Sequence, residues 1–345
     1  MKNKWYLLIM ILVLISCNNS KKENTVNKTE NKLEYTALQK RAQSLFGELP
    51  KVAKNDANPV TAEKVALGKK LYFETKLSKN GNQSCNTCHN LNTYGVDNLP
   101  TSPGDGKGTL GTRNSPTTLN AALHIAQFWD GREPDVEAQA GGPILNPVEM
   151  GMPDEKTVIR RLSKEKEYRE MFAKAFPDEK NPINYKNLKK AIGAFERKLI
   201  TPSKFDKFLA GDAKALNEKE LKGLQLFIDK GCITCHNGNA LGGKMFQKFG
   251  LYGNYWEYTK SKSIDKGKAE VSKKEADNYI FKTPSLRNIT KTYPYFHDGS
   301  VKDLKEAIKI MGKLQVNKDL TDDEVQSIYD FLETLTGEVP AEYKM

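Results

Sequence analysis

Apolar residues return every three or four positions in two widely separated stretches of the chain, a spacing that predicts amphipathic helices. The earlier stretch contains Leu188, Ile192, Phe195 and Leu199. The later stretch contains Val325, Ile328, Phe331, Leu332 and Leu335. We expect each helix to bury its apolar stripe and to be the last helix of one half of the chain.

Both predicted helices have recognisable ends. The first should stop at Thr201, because Pro202 disfavours helical geometry in the residue before it. The second should begin at a capping box formed by Thr321 and Glu324 and should end near Gly337. The chain therefore divides into an earlier and a later half.

A shorter pattern opens each half: a glycine, a leucine three positions later, and then an aromatic residue. The two copies are Gly68-Lys69-Lys70-Leu71-Tyr72 and Gly223-Leu224-Gln225-Leu226-Phe227. The first copy lies in a helical pattern of its own, and both copies precede a cysteine motif. We interpret the chain as a divergent internal repeat.

Each half contains one CxxCH motif. The motif residues are Cys85, Cys88 and His89 in the first half and Cys232, Cys235 and His236 in the second. This spacing lets two thiols add to one haem while the histidine becomes an axial ligand of its iron. A single copy could also be a CxxC redox pair or half of a zinc site. Two copies, in a chain with five cysteines and four histidines, favour two covalent haems c.

The helix that opens each half resembles the N-terminal helix of cytochrome c domains, in which the glycine permits close crossing of the C-terminal helix. The sequence therefore predicts a mainly α protein of two tandem cytochrome c-type domains with one covalent haem each. We expect the domains to cover residues 37–202 and 203–345 and to meet between Pro202 and Asp212.

The amino terminus indicates export. Lys2 and Lys4 precede an apolar run that is short for a membrane span and typical of a secretory signal. The following Leu14-Ile15-Ser16-Cys17 resembles the lipobox of bacterial lipoproteins, in which cleavage leaves the cysteine lipidated. We predict a signal peptide at residues 1–16 and a periplasmic protein anchored through Cys17. An uncleaved membrane anchor with a spare thiol is the alternative.

The composition of the chain predicts a tether near the amino terminus and argues against a nucleic-acid partner. Residues 17–36 are rich in Asn, Lys, Ser, Thr and Glu, which predicts a disordered tether. The formal charge of +11 reflects scattered lysines, and haem propionates would reduce it. No basic run is interleaved with stacking aromatics, so a nucleic-acid partner is not expected.

Four segments between and after the motifs carry a more specific resemblance. They are Thr112-Arg113-Asn114-Ser115-Pro116-Thr117, Phe128-Trp129-Asp130-Gly131-Arg132, residues 142–150 (GPILNPVEM) and Tyr295-Phe296-His297-Asp298-Gly299-Ser300. Together with their spacing they resemble the bacterial dihaem cytochrome c peroxidase family over about residues 40 to 338. The resemblance implies a periplasmic enzyme that reduces hydrogen peroxide with electrons from a small c-type cytochrome or copper protein.

The resemblance also divides the labour between the two haems. It implies that Met311 is the sixth ligand of the His236 haem, which then receives and stores electrons, since His/Met ligation raises reduction potential. Peroxide chemistry falls to the His89 haem. There the resemblance implies Glu149 as the catalytic acid and base and Gln139 as the residue that orients peroxide. From composition alone, Met311 would be a core residue and Glu149 a solvated one.

Further residues follow from the same resemblance. Trp129 corresponds to a tryptophan placed between the haems as an electron route, although a buried tryptophan is also ordinary core. His297 corresponds to a residue that contacts haem without binding its iron. Asn114 and the backbone carbonyls of Thr292 and Pro294 match a calcium site, and oxygen donors suit that hard cation.

One position departs from the family pattern. Many members have a loop histidine about sixteen residues after the first haem-binding histidine, and it caps the haem in the oxidised enzyme. Here that residue is Asp105, and His124 is the only histidine left without a role. We hypothesise that the His89 haem has no strong sixth protein ligand and needs no reductive opening.

Two other functions remain open at this point. A related dihaem oxidase modifies a partner protein, but that subgroup has a tyrosine ligand where this chain has Met311. A non-catalytic dihaem electron carrier would have no need of Glu149 and Gln139. Family members are commonly dimers, so a homodimer is possible for this chain.

Overall fold

A computed structural model describes residues 36–344 and consists mainly of helices. The α-helices are α1 (36–46), α2 (Ala62–Tyr72), α3 (Cys85–Cys88), α4 (Val136–Leu145), α5 (Glu155–Lys164), α6 (Lys166–Ala175), α7 (Tyr185–Glu196), α8 (Lys204–Leu209), α9 (Glu218–Asp229), α10 (Tyr255–Thr259), α11 (Ala269–Ser272), α12 (Leu304–Val316) and α13 (Asp322–Glu333). Short 3₁₀ helices cover Thr75–Leu77, Leu91–Thr93, Ala121–Leu123, Cys232–Thr234, Glu275–Asp277, Ile289–Lys291 and Ala341–Tyr343. The predicted mainly α fold with two tandem domains is confirmed.

A small antiparallel sheet, absent from the sequence prediction, lies in the second half. Strand β1 (Phe246–Lys248) pairs with β2 (Ile280–Lys282), and Gln247 is opposite Phe281. Three-residue strands give too short an alternation of polar and apolar positions to be recognised in sequence. No helix within residues 36–344 is long and apolar enough to cross a membrane. The predicted lipidation site, Cys17, lies outside the described residues.

In each half a glycine allows the opening and closing helices to cross. A Cβ added at Gly68 of α2 would lie 1.9 Å from the carbonyl oxygen of Ala191 in α7. A Cβ added at Gly223 of α9 would lie 1.9 Å from the carbonyl oxygen of Ser327 in α13. Only glycine permits backbones to approach this closely, so the expected crossing is present twice.

The closing helices end somewhat earlier than their apolar stripes predict. Helix α7 ends at Glu196, before Leu199, and the chain then leaves the helix so that Thr201 can accept hydrogen bonds from two buried asparagines. The Nδ2 groups of Asn120 and Asn288 lie 2.8 and 2.9 Å from the Thr201 hydroxyl. The two halves therefore meet at this threonine.

The ends of the described chain exchange partners. Helix α1 packs in the core of the second half, where the Gln39 amide donates to the carbonyl of Phe208 at 2.7 Å. At the other end, Tyr343 packs on Phe195 in the first half, with ring centroids 5.8 Å apart. Each half is thus stabilised by a segment from the opposite end of the chain.

Candidate haem sites

The first CxxCH motif forms a single helical turn, α3, capped by its own neighbours. The Thr87 hydroxyl accepts the Ser84 N–H at 2.9 Å in a capping box, and His89 follows the turn. The Tyr72 hydroxyl from α2 donates to the His89 carbonyl at 2.6 Å. The aromatic residue of the opening pattern therefore fixes the backbone of the motif histidine.

The second motif places its histidine in an arrangement suited to metal binding. The Nδ1 atom of His236 lies 3.2 Å from the carbonyl oxygen of Leu241. Burial lowers the pKa of His236 to about 4, so the ring is neutral at physiological pH. An imidazole oriented through Nδ1 leaves Nε2 for a metal ion.

The residues present fit haem better than the alternatives considered from sequence. Burial raises the pKa of Cys88 and of Cys232 to about 11, whereas reactive redox cysteines have lowered pKa values. Within residues 36–344 no group of three or more His, Cys, Asp or Glu side chains could hold a metal ion. Two histidines have a buried Nε2 without a hydrogen-bond partner in this part of the chain, His124 and His297. Such unpaired groups are expected beside a cofactor.

Each motif is followed by a similar turn. Phe128 and Phe296 both have positive φ, 65° and 69°, and each is followed by an aromatic residue or histidine, an aspartate and a glycine. Six residues after Trp129 and after His297 an aspartate caps the next helix, α4 or α12. Trp129 and His297 therefore occupy equivalent places in the two halves.

This equivalence separates the two sites chemically. Met311 lies eight residues after the cap Asp303 (311 − 303), and Pro143 lies eight residues after the cap Asp135 (143 − 135). Proline offers no ligand atom, whereas methionine offers its thioether. Met311 is partly buried against the core of the second half. The first half thus has no methionine at the position where the second half has one.

Glu149 lies in the turn that follows α4, near the first motif. Its N–H donates to the carbonyl of Asn146 at 3.0 Å, and its charge contributes to the raised pKa of the Cys88 thiol. Burial raises the pKa of Glu149, and the nearby Arg132 guanidinium opposes that shift. A half-buried carboxyl with a raised pKa suits proton transfer. Gln139 projects from α4, which leads into this turn.

Asp105 is buried, and both of its carboxylate oxygens accept hydrogen bonds. Its carboxylate accepts the backbone N–H groups of Asn80 and Asn82, the latter at 3.2 Å. Its own N–H donates to the carbonyl of Glu149 at 2.7 Å. The residue that replaces the family's loop histidine therefore joins the segment before Cys85 to the backbone of Glu149.

His124 lies against the second half of the chain. Its Nδ1 is 3.2 Å from the ammonium of Lys282, and a Cβ added at Gly243 would be 2.2 Å from its Cδ2. Burial lowers its pKa well below the usual value, and Lys282 and Lys244 lower it further. Sequence reasoning did not identify this pair, because the two residues are separated by 158 positions.

Trp129 connects the two halves. Its indole Nε1 donates to the carbonyl of Asn114 at 2.9 Å, and its own carbonyl accepts the N–H of Lys282 at 2.8 Å. Its ring centroid lies 6.4 Å from that of His297. His297 is 2% exposed and lies among aromatic rings, the nearest being Phe281 at 4.4 Å.

A buried ion-pair network beside Trp129 was missed from sequence. Arg113 binds Asp265 of the second half with Nε and Nη2, at 2.6 and 2.9 Å, and binds Asp130 at 2.5 Å. The neighbouring Arg132 also binds Asp130, at 2.9 Å. Arginine can form such bidentate contacts with two carboxylates, so this network links the halves.

The residues predicted to bind calcium lie on two adjoining loops. The Asn114 N–H donates to the carbonyl of His297 at 2.7 Å, and its amide donates to the carbonyl of Leu99 at 2.9 Å. The amide of Asn98 donates to the carbonyl of Tyr293, between Thr292 and Pro294, at 2.8 Å. The loops therefore bring asparagine side chains and backbone carbonyls together.

Comparisons with known proteins agree with this arrangement. Residues 62–214 match the family described as di-haem cytochrome c peroxidase, and residues 221–336 match the cytochrome c family. The chain is 46% identical over 285 residues to a cytochrome c551 peroxidase of Nitrosomonas europaea, covering 82% of each chain. It is 45% identical over 306 residues to that of Pseudomonas aeruginosa, covering 88% of each. A crystal structure of a MauG-like protein associated with microbial copper homeostasis superposes with a TM-score of 0.76 at 29% identity, over 86% of this chain and 96% of the other.

Proposed function

The chain belongs to the di-haem cytochrome c peroxidase family and is a cytochrome-c peroxidase, and from that premise we propose how its two sites divide the reaction. Hydrogen peroxide is reduced to two waters at the His89 site, with two electrons and two protons. The electrons come from a small c-type cytochrome or copper protein and enter at the His236 site.

Seven residues hold the two cofactors in this proposal. They are Cys85, Cys88 and His89 for the first haem and Cys232, Cys235, His236 and Met311 for the second. When bound, the haems supply the iron that exchanges electrons and an open coordination position for peroxide. The contrast between Met311 and Pro143 supports assigning that open position to the first site.

Glu149 is the proton-transferring residue of the proposed mechanism. As a carboxylate it accepts the proton of one peroxide oxygen, and as a carboxylic acid it returns that proton to the other oxygen. Its half-buried position and its raised pKa support this role, since burial makes the carboxyl a stronger base than an exposed glutamate. The bond from Asp105 N–H to the Glu149 carbonyl holds its backbone, and Gln139 on the preceding helix orients peroxide.

Trp129 carries electrons between the sites in this proposal. Its hydrogen bonds reach Asn114 in one half and Lys282 in the other, so it spans the junction. His297 lies at the equivalent place in the second half and contacts the haem there without binding its iron. The aromatic rings around His297 support a packing role.

The His89 haem has no strong sixth protein ligand in this proposal. Pro143 has no donor atom, both oxygens of Asp105 accept backbone N–H groups, and His124 is hydrogen-bonded to Lys282. Absorption and paramagnetic-resonance spectra of the fully oxidised protein should contain a high-spin component from this haem. A purely low-spin spectrum with two histidine ligands would contradict the assignment.

The decisive experiment is stopped-flow oxidation of a reduced donor cytochrome by peroxide. Glu149→Gln should slow turnover by about 10²- to 10⁴-fold, the usual contribution of general acid–base catalysis. Glu155→Gln, an exposed carboxylate on α5, is the matched control and should react like the parent. Parent-like turnover in Glu149→Gln would refute the proposed mechanism, and absence of donor oxidation in the parent would favour an electron carrier or a protein-modifying oxidase.

The remaining assignments are finer parts of the same proposal. Asn114 and the carbonyls of Thr292 and Pro294 bind Ca²⁺, supported by the asparagine contacts between their loops. Cleavage before Cys17 yields a periplasmic lipoprotein, supported by the sequence of residues 1–17. Mass spectrometry of the membrane fraction and calcium titration of the purified protein test these points.

A further inference from the structure

Lys282 is buried without a counter-charge. The residue is 7% exposed, and burial alone lowers the pKa of its ammonium to about 8, with no carboxylate contributing. Its hydrogen-bond partner within residues 36–344 is the neutral Nδ1 of His124, at 3.2 Å. Burying an ammonium group is costly unless an anion or several acceptors surround it. Lys282 therefore lacks the acceptor that its position requires.

His124 has an unmatched donor at the same place. Because its Nδ1 accepts a hydrogen bond from the lysine ammonium, the ring hydrogen must lie on Nε2. That Nε2 is buried and has no partner in the described part of the chain. The Lys282 ammonium and the His124 Nε2–H therefore lie on opposite sides of the imidazole ring, and each is a buried donor without an anionic or carbonyl acceptor in the described part of the chain.

This location is one loop away from His236. Ile125 N–H donates to the carbonyl of Gly243 at 2.9 Å, and Gly243 N–H donates to the carbonyl of Thr283 at 2.7 Å. A Cβ added at the adjacent Gly242 would lie 3.3 Å from Nδ1 of His236. The donor pair thus lies where the first half meets the wall of the second haem site.

We propose that Lys282 and His124 bind the two propionates of the haem held by His236, one carboxylate each. Haem carries two propionates, and these are the acceptors that a buried ammonium and a buried imidazole N–H on opposite sides of one ring would satisfy. Lys282 comes from β2 and His124 from the loop before Trp129, so the propionates are held by both halves of the chain. The inference rests on the covalent haems of the proposed function and not on peroxide turnover.

The charge of Lys282 should affect reduction of that haem. A positive charge beside a propionate offsets its negative charge and favours the state with one more electron. Lys282 therefore raises the reduction potential of the His236 haem. Exposed lysines affect it less, because water and salt screen their charges.

Potentiometric titration of the holoprotein, without peroxide or donor, tests the proposal. Lys282→Leu should lower the midpoint potential of the His236 haem and shift its propionate bending band in resonance Raman spectra. Lys219→Leu removes an exposed lysine of α9 that is not among the charges acting on His124, and it should leave both signals unchanged. Lys282→Arg should restore most of the potential because it keeps the charge and the donors.

Parent-like potentials and Raman bands in a folded Lys282→Leu protein with both haems would overturn the proposal, as would a shift confined to the His89 haem. If Lys282→Leu does not fold, His124→Phe provides the same test, because it removes the Nε2 donor while the lysine remains. It should lower the same potential by a smaller amount, and an unchanged potential would count against the proposal. The two hypotheses have separate readouts. Glu149→Gln tests the peroxidase mechanism through turnover, whereas the Lys282 and His124 variants test propionate binding through the reduction potential and the Raman band.

Discussion

The two halves of this peroxidase share one scaffold and differ where chemistry requires it. Each has a glycine crossing, and each has a buried asparagine with positive φ that binds Thr201, Asn120 in one half and Asn288 in the other. After the turns at Trp129 and His297 the halves diverge, because α12 carries Met311 where α4 carries Pro143. In the proposed mechanism this single position on one helix separates a closed electron-storing site from an open peroxide site.

The halves also differ in what surrounds the shared turn. In the first half Arg132 follows Asp130-Gly131 and lies near Glu149, whereas in the second half Ser300 follows Asp298-Gly299. The segments before Pro116 and Pro284, whose carbonyl groups lie beside His89 and His236, differ too. Arg113 lies three residues before Pro116, and Phe281 lies three residues before Pro284. At these two positions the first half carries arginines where the second carries a serine and a phenylalanine, a difference in charge that accords with the proton chemistry proposed for the first half.

The largest expected effect tests what the halves share. Gly68→Ala and Gly223→Ala should each lower the free energy of unfolding by about 3 kcal/mol or more, because the new Cβ would meet a backbone carbonyl at 1.9 Å. Gly142→Ala is the control in α4, where only the Phe128 ring lies within 4 Å, at 3.6 Å. Chemical denaturation measures the three variants, and equal stabilities would contradict the close crossing.

Pro143→Met tests the main difference between the halves. It places a thioether at the position equivalent to Met311, so we expect a first haem with a low-spin, methionine-ligated spectrum and peroxide turnover reduced about 100-fold, or ~2.7 kcal/mol. Pro143→Ala removes the proline without adding sulfur and should keep the open site. If both variants give the parent spectrum, the proposed equivalence of α4 and α12 is incorrect.

The ion pair between the halves should have a somewhat smaller effect. Arg113→Gln leaves the Asp265 carboxylate without its partner and leaves the buried Asp130 with Arg132 alone, so the free energy of unfolding should fall by about 2 kcal/mol. Lys204→Gln breaks a more exposed pair with Glu220 and should change stability by less than about 1 kcal/mol. Thermal unfolding compares them, and equal losses would show that Arg113 does not join the halves.

The smallest effect concerns pH. Arg132→Ser gives the first half the residue found in the second and removes a charge that lowers the pKa of Glu149. The carboxylate form should then appear only at higher pH, so the acid limb of kcat/KM should move to higher pH. Activity would fall on the acid limb and stay near the parent value on the plateau above it. A downward shift, or none, would remove Arg132 from the environment of Glu149.

Several features followed from the sequence because their signals are local. The CxxCH motifs, the apolar stripes of α7 and α13 and the capping box at Thr321 each occupy a few neighbouring residues, and the structure contains both helices and the box. The resemblance to the peroxidase family, carried by short segments, is confirmed by the relatives. The roles of Glu149, Gln139, Trp129 and Met311 remain predictions for the experiments above.

Other features depend on which distant segments meet when the chain folds. The partners of Asp105, the pair of His124 with Lys282 and the contact of Arg113 with Asp265 join residues 23 to 158 positions apart, and no local pattern encodes such pairs. The sequence determined which chemical groups are available and how often the haem motif occurs. The tertiary structure decided which buried charge lies beside which partner, because burial and hydrogen bonding depend on neighbours brought together only by packing of the two halves.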